Sequence, residues 1–144
     1  IIFDLRPMAL DDLGLVPTIR GVLDVFRTQY GIFTEIAVTG RERRLASHIE
    51  IGLFRVAQEA LNNVVKHAQA STVRVRIEFA PVGVTLVIED DGKGFDTAND
   101  DAPAGHFGLM GMRERLQLLQ GKFTIKSTPG KGTRVMITAP LEEQ

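Results

Sequence analysis

Apolar side chains recur at helical spacing in three parts of this chain. In residues 16–30 they fall at every third or fourth position, which predicts an amphipathic helix. The strongest pattern of this kind covers residues 47–69, where Ser47 and Glu50 have the spacing of a capping box at the start of the helix. Residues 109–119 predict one more helix. We therefore expect three helices.

Alternating apolar and polar residues predict five strands, at residues 34–39, 72–79, 84–89, 123–127 and 132–139. Short turns rich in Pro and Gly separate the second strand from the third and the fourth from the fifth, which is typical of hairpins. Residues 11–15 resemble an acidic turn that leads into the first helix. Because the strands pair as hairpins, the predicted fold class is α+β, a two-layer sandwich of one sheet and its helices.

Composition narrows the classes of protein to consider. The chain has 144 residues, a formal charge of −1 and no cysteine, which excludes disulfides, thiolate nucleophiles and Cys-based zinc sites. The near-zero charge argues against nucleic-acid binding, and no apolar run approaches the roughly 20 residues of a membrane helix. The sequence begins without Met and shows no signal peptide. We therefore expect a piece of a longer chain, without membrane contact and cytoplasmic.

The second predicted helix carries the first candidate site. Glu59 and Asn63 are four positions apart and share one helix face, and the pairs Asn62–Lys66 and Asn63–His67 have the same spacing. A carboxylate beside an amide oxygen suits Mg²⁺ or its waters, and Glu59 could also act as a base. A solvated helix face is the alternative interpretation.

Glycine-rich segments form three further candidates. DDGKGF begins at Asp90, and its glycines at 92 and 94 would permit close approach to a ligand; a plain Asp-Gly turn is the alternative. Residues 105–115 place glycines before a helix, where free N–H groups could face an anion or simply pack closely. GKGT at residues 130–133 alone predicts only a hairpin turn. Residues 90–105 are rich in Gly, Asp and Asn and predict a long loop, and a loop of this length is more often functional than not.

Taken in order, the four segments resemble the nucleotide-binding boxes of the GHKL superfamily, which contains sensor histidine kinases, Hsp90, DNA gyrase B and MutL. These segments are RVAQEALNNVVKHA, DDGKGF, HFGLMGMRERL and GKGT. The flanking DLRPMALDDLGL and GLMGMRERLQLLQG are similar to those of the DegS-type histidine kinases that partner LuxR-type response regulators. The resemblance implies a Bergerat fold, with a mixed sheet of about five strands covered by three helices, and ATP with Mg²⁺ as cofactors.

The resemblance also implies roles for the phosphate end of the site. Asn63 would hold Mg²⁺ together with Glu59, and Glu59 would assist at the γ-phosphate by polarising a water or the attacking histidine. Lys66 and His67 would lie near the phosphates.

At the base end, Asp90 would accept from the adenine amino group, with Thr133 completing the pocket through Asp90 or its water. Gly92 and Gly94 would permit close approach to the base.

A helix start and a loop complete the implied site. Gly108, Leu109 and Gly111 would let the helix N-terminus face the phosphates, and residues 96–107 would form the ATP lid. Asp91 replaces the Asn of many relatives, and we expect little effect from it.

By the same resemblance, residues 1–13 are the tail of an upstream dimerisation and phosphotransfer hairpin, and residues 14–144 are the ATP-binding catalytic domain. The γ-phosphate would pass to a histidine on that hairpin and then to a response regulator. The piece alone should be monomeric and unable to autophosphorylate, whereas the full kinase would be a homodimer. The alternatives are a non-catalytic GHKL regulatory module, and an anti-sigma serine kinase or GHKL ATPase.

Overall fold

The structure is a computed structural model that describes residues 8–95 and 109–141. The helices are α1 (Met8–Leu13), α2 (Leu15–Tyr30), α3 (Ser47–Asn63) and α4 (Leu109–Leu118), and a π-helical segment (Val64–Ala68) directly follows α3. The strands are β1 (Phe33–Gly40), β2 (Thr72–Ala80), β3 (Gly83–Asp90), β4 (Lys122–Thr128) and β5 (Gly132–Pro140). The three predicted helices and five predicted strands are thus all confirmed, with ends within about one residue of the predicted ones.

The strands form one mixed sheet in the order β1-β2-β3-β5-β4. β1 pairs with β2 in parallel, and the remaining neighbours are antiparallel. Both predicted hairpins, β2–β3 and β4–β5, are present. The α+β prediction is therefore confirmed, and β5 lies between β3 and β4 although β4 precedes it in the chain.

The hydrophobic core lies between one face of this sheet and the helices. On β2 the alternation is regular, with Val73, Val75 and Ile77 buried against the helices. β3 departs from the predicted alternation, because Val87 is on the other face and yet is only 1% exposed. Its neighbours across the sheet are Arg76 and Met136, so long side chains of two flanking strands surround it. In residues 8–95 and 109–141, no helix combines the length and the apolar character needed to cross a bilayer.

The acidic turn predicted at residues 11–15 is instead the end of a short helix. α1 packs against α2 and α3, and Leu10 on α1 is 1% exposed within the common core. Gly14 alone separates α1 from α2. The assignment of residues 1–13 to an upstream unit remains a prediction, and its helical part within the described residues packs on the domain.

The capping-box prediction at Ser47 is wrong. Ala46 is the N-cap of α3, and no side chain caps the helix there. Glu50 is buried instead, and its carboxylate accepts from the Arg44 guanidinium at 3.0 and 3.1 Å and from the Leu45 backbone N–H at 3.2 Å. The guanidinium is a stronger partner for a carboxylate than a single backbone N–H, so Glu50 turns towards Arg44.

Candidate nucleotide-binding site

A pocket opens between the end of α3 and the strands β3, β4 and β5. Its lining is apolar on the helix side and on the sheet, with polar groups at the ends of the elements. The lining residues are Ala60, Asn63, Val64, His67, Ile88, Asp90, Lys93, Gly94, Phe95, Ile125, Thr133 and Val135. Five of them, from three separate sequence segments, are predicted site residues. An apolar slot with a few convergent polar groups suits a planar base with a polar edge.

The helix wall presents Asn63 and His67 together, as their spacing predicted. The chain winds as a π-helix from Val64 to Ala68, and such short π-helical turns are frequent at functional sites. In the predicted pair of Asn62 and Lys66, Asn62 is buried whereas Lys66 is exposed, so only Lys66 is accessible to a ligand.

Asp90 ends β3 at the floor of the pocket. Its Oδ1 accepts from the backbone N–H of Gly92 at 2.8 Å. Burial raises the pKa of Asp90, and the neighbouring charge of Asp91 raises it further, while the backbone N–H groups of Gly92 and Thr133 oppose the rise. The carboxylate thus has lone pairs left to accept a hydrogen bond from a ligand in the pocket.

Two glycines allow the backbone to close around this floor. Gly94 has a φ of +63°, and a Cβ there would lie 2.2 Å from the Thr128 carbonyl oxygen. Gly132 has a φ of +84°, and a Cβ there would lie 2.0 Å from the Asp90 carbonyl oxygen. Only glycine fits either position, because both the left-handed conformation and the contact exclude a side chain. The GKGT segment therefore forms a hairpin turn and also packs its backbone closely against the end of β3.

Sequence analysis assigned no role to Lys93, Phe95 or Ser127. Lys93 and Phe95 line the pocket beside Gly94. The Ser127 hydroxyl accepts from the Phe95 N–H at 2.8 Å and lies 2.8 Å from the Thr133 hydroxyl, so it joins the segment after β3 to the β4–β5 hairpin. One signal was present: Phe123, Ile125 and Ser127 share the inward face of β4, and only Ser127 is polar.

The adjacent Asp91 faces away from the pocket. Its Oδ1 accepts from the backbone N–H groups of Ser71 and Thr72 at 2.8 and 2.9 Å, at the start of β2. These bonds lower the pKa of Asp91. The additional negative charge therefore has a partner of its own, in line with the small effect that we expect.

The other predicted residues that the structure describes are not among those that line the pocket. Glu59 is half-buried on α3, one turn before Asn63, and Gly92 is buried behind Asp90. Gly111 is exposed in the first turn of α4, which begins at Leu109. Gly108 and the lid at residues 96–107 lie outside the described residues.

The donor set fits Mg²⁺ only if the ligand supplies part of its coordination. Asn63 and Glu59 offer two hard oxygens on one face of α3. Among the described residues, no three His, Asp or Glu side chains form a ready-made metal cage. Mg²⁺ commonly takes one or two protein oxygens together with phosphates and waters, so the donors suit a metal that arrives with a phosphate ligand.

Comparison with known proteins agrees with this geometry. Residues 48–143 match the family described as histidine kinase-, DNA gyrase B-, and HSP90-like ATPase. The chain is 47% identical over 98% of its length to the signal transduction histidine-protein kinase/phosphatase DegS of Brevibacillus brevis, and 44% identical over 94% to that of Bacillus subtilis. It spans 36% of the length of either relative. The oxygen sensor histidine kinase NreB of Staphylococcus carnosus is 35% identical over 97% of the chain and 40% of its own length.

Solved structures show the same fold at lower identity. The histidine kinase domain of the blue-light activated kinase from Erythrobacter litoralis superposes with a TM-score of 0.68 at 20% identity, over 88% of this chain and 65% of that one. The ATP-binding domain of PrrB from Mycobacterium tuberculosis has a TM-score of 0.65 at 21% identity, over 86% and 90% of the two chains.

These matches favour a histidine kinase over a serine kinase or a GHKL ATPase of another type, because the relatives named above are histidine kinases that match nearly the whole chain. The chain belongs to the family of histidine kinase-, DNA gyrase B- and HSP90-like ATPases, and along nearly its whole length it is similar to DegS-type histidine kinases.

Proposed function

We propose that this domain binds ATP with Mg²⁺ in the pocket between α3 and the sheet, and donates the γ-phosphate to a histidine on a helical hairpin upstream in the same protein. The observation that carries the proposal is the position of Asp90. Its partly buried carboxylate lies at the end of an apolar slot, and Asn63 and His67 line the same slot on the helix side.

The base would bind at the sheet. The Asp90 carboxylate would accept from the adenine 6-amino group, with Thr133 beside it and Gly92 and Gly94 allowing the backbone close to the ring. Ile88 would pack against the ring from the sheet side of the slot. A buried acceptor discriminates strongly, because a ligand without the matching donor leaves it unsatisfied.

The phosphates would extend towards the helix wall. Asn63 would hold the metal with help from Glu59, and Lys66 and His67 would contribute positive charge or hydrogen bonds. When bound, Mg²⁺ would neutralise phosphate charge.

The start of α4 would supply backbone N–H groups to the phosphates. Gly108, Leu109 and Gly111 are the residues proposed for this contact, and the positive end of the helix favours an anion there.

Glu59 is the proposed base for the transfer. It would polarise the attacking histidine as the bond between ADP and the γ-phosphorus breaks and a phosphorus–nitrogen bond forms. Little covalent chemistry is asked of the protein, because positioning and charge neutralisation supply most of the acceleration in phosphoryl transfer.

The wider proposals concern the rest of the protein. The phosphohistidine would pass its phosphoryl group to a LuxR-type response regulator, and the upstream hairpin would make the full kinase a homodimer. The cytoplasmic location and the boundary between residues 13 and 14 also remain predictions.

Isothermal titration of ATP into the domain, with and without Mg²⁺, tests the proposal. Asp90→Asn should weaken binding by about tenfold or more in both conditions, because the buried acceptor loses its charge. Asn63→Asp should chiefly change the dependence on Mg²⁺. Asp91→Asn is the matched control, since that carboxylate faces Ser71 and Thr72.

Absence of ATP binding to the folded domain would overturn the proposal. Equal weakening by Asp91→Asn and Asp90→Asn would overturn the assignment of the base to the Asp90 end.

A further inference from the structure

Ser127 lies outside the pocket but contacts three groups that shape it. Its Oγ is 2.8 Å from the Phe95 nitrogen, 3.2 Å from the Gly132 carbonyl oxygen and 2.8 Å from the Thr133 Oγ1. Ser127 is the cross-strand partner of Thr133, which is in turn the partner of Asp90. These three side chains form a polar row across β4, β5 and β3.

The hydrogens of this row can be assigned by counting. A serine hydroxyl has one proton to donate and two lone pairs that accept. The Phe95 N–H can only donate, so it takes one lone pair of Ser127, and the Gly132 carbonyl can only accept, so it takes the proton. The Thr133 hydroxyl must then donate its own proton to the second lone pair of Ser127. This arrangement satisfies all three partners.

As a consequence, the Thr133 hydroxyl can act only as a hydrogen-bond acceptor towards a ligand in the pocket. With its proton held by Ser127, the Thr133 Oγ1 has only lone pairs to offer a ligand. The Asp90 carboxylate beside it also only accepts. A 6-amino group has two N–H donors and can serve both acceptors, whereas a 6-oxo group places its own lone pairs against theirs.

We propose that Ser127 is a positioning residue that fixes Thr133 as a hydrogen-bond acceptor and so favours a 6-amino purine over a 6-oxo purine. The inference rests on the proposed function, because it requires the base to bind at the Asp90 end. Without Ser127 the Thr133 hydroxyl would be free to rotate and to donate to a 6-oxo group.

The test measures dissociation constants for ATP and ITP, in four forms of the domain: unchanged, Ser127→Ala, Thr133→Val and the double variant. The two nucleotides differ at the purine 6-position, which is amino in ATP and oxo in ITP, and at N1, which carries a proton only in ITP. The unchanged domain should prefer ATP. Ser127→Ala should reduce that preference by about fivefold, the effect of one hydrogen bond. In the Thr133→Val background, Ser127→Ala should leave the ATP-to-ITP ratio unchanged, because Ser127 then has no hydroxyl to orient.

Three further variants serve as controls for the role of the Ser127 hydroxyl. Thr124→Ala removes an exposed hydroxyl on the same strand and should leave the ratio unchanged. Ser127→Thr keeps the hydroxyl and should retain most of the preference for ATP. Ser127→Cys, of similar size and with weaker hydrogen bonds, provides the same comparison if Ser127→Ala does not fold.

The outcomes separate the two proposals. If the unchanged domain binds neither nucleotide, the proposed function fails and the inference fails with it. If it binds ATP and Ser127→Ala leaves the ratio unchanged, the inference alone is overturned. An equal change of the ratio with and without the Thr133 hydroxyl would also overturn it, since Ser127 would then act only through the Phe95 segment.

Discussion

Adjacent aspartates at the end of β3 face different partners and carry opposite pKa shifts. Burial raises the pKa of Asp90, while backbone N–H groups at the start of β2 lower the pKa of Asp91. Strand alternation alone allows either aspartate to face the pocket. The backbone turn after Asp90 places the Asp91 carboxylate next to the backbone N–H groups of Ser71 and Thr72, so Asp90 is the one at the pocket.

The lowered pKa of Asp91 predicts an acid-dependent contribution to stability. A carboxylate whose pKa is lower in the folded state stabilises the fold above the ordinary value of 3.8, and this is lost as the pH falls through the lowered pKa. Asp91→Asn should therefore flatten the decline of the unfolding free energy below about pH 4. Urea unfolding at several pH values measures this. Asp12→Asn, a change at an exposed aspartate on α1, is the control, and an equal flattening in both variants would contradict the prediction.

Asp90 predicts the opposite dependence. Because its pKa is raised in the folded state, its ionisation opposes folding as the pH rises from 3.8 through the raised pKa. Asp90→Asn should therefore make the domain relatively more stable above that window while it weakens ATP binding. The same unfolding series tests this, and a loss of stability at neutral pH would contradict it.

Substitutions at Gly94 and Gly130 would distinguish the cost of a left-handed backbone from the cost of a steric clash. Both have positive φ, at +63° and +81°, but a Cβ at Gly94 would lie 2.2 Å from the Thr128 carbonyl oxygen, whereas none of the described atoms lies within 4 Å of one at Gly130. Gly130→Ala should cost about 1 kcal/mol from the left-handed backbone alone. Gly94→Ala should cost at least about 2 kcal/mol and weaken ATP binding, because the pocket wall must move. Equal losses in denaturant unfolding would contradict the steric explanation.

At the scale of elements, the end of α3 departs from its predicted geometry. The apolar pattern predicts a helix to about residue 69, and the chain does remain helical to Ala68, but its last five residues are π-helical. Hydrophobic spacing constrains the buried face and is too coarse to detect one wider turn. Within this turn Lys66 is exposed, whereas the next residue, His67, lines the pocket.

Arg44 connects the start of α3 to the end of α1. Besides Glu50, its guanidinium donates to the backbone carbonyls of Asp11 and Asp12 in the last turn of α1, at 3.1 and 3.2 Å. The contact spans the loop between β1 and α3 and replaces the predicted capping box.

Glu50→Gln should destabilise the domain by about 1–3 kcal/mol, because the amide N–H₂ would face guanidinium donors in a buried place without an acceptor. Glu35→Gln is the matched control, since the side chain of Glu35 pairs with Arg74 at the surface and is 52% exposed, against 4% for that of Glu50. The control should change stability by less than about 1 kcal/mol. Thermal unfolding of both variants checks the difference, and similar effects would show that the Glu50 contact stabilises no more than a surface pair.

At the scale of the whole molecule, strand order assembles the site. Because β5 lies between β3 and β4, the end of β3 meets the start of β5, and Asp90 becomes the partner of Thr133. α3 crosses this part of the sheet and brings Asn63 and His67 to the same pocket. Three distant sequence segments therefore form a single site.

The domain should be monomeric, and phosphorylated only when its acceptor is supplied. We expect no phosphohistidine on the domain alone with ATP and Mg²⁺, and acid-labile phosphate on a separately added upstream hairpin. Light scattering measures the oligomeric state. Glu59→Gln, which keeps the size of the side chain, should abolish most of the transfer with little change in the ATP affinity measured without Mg²⁺. Hydrolysis or serine phosphorylation without a phosphohistidine would instead favour another GHKL activity.

The helices and strands and the fold class could be predicted from the sequence, and the sequence also indicated the segments that line the pocket. The periodicity of apolar residues indicates directly which face of an element is buried. Gly94 and Gly132 belong to the glycine-rich motifs of the sequence because close contacts with the backbone leave no room for a side chain at either position. Which polar side chains meet became clear only from the fold. Asp91 turns to β2, Glu50 turns to Arg44, and Ser127 orients Thr133, because hydrogen bonds between distant segments depend on strand order and on the local turn, which periodicity does not encode.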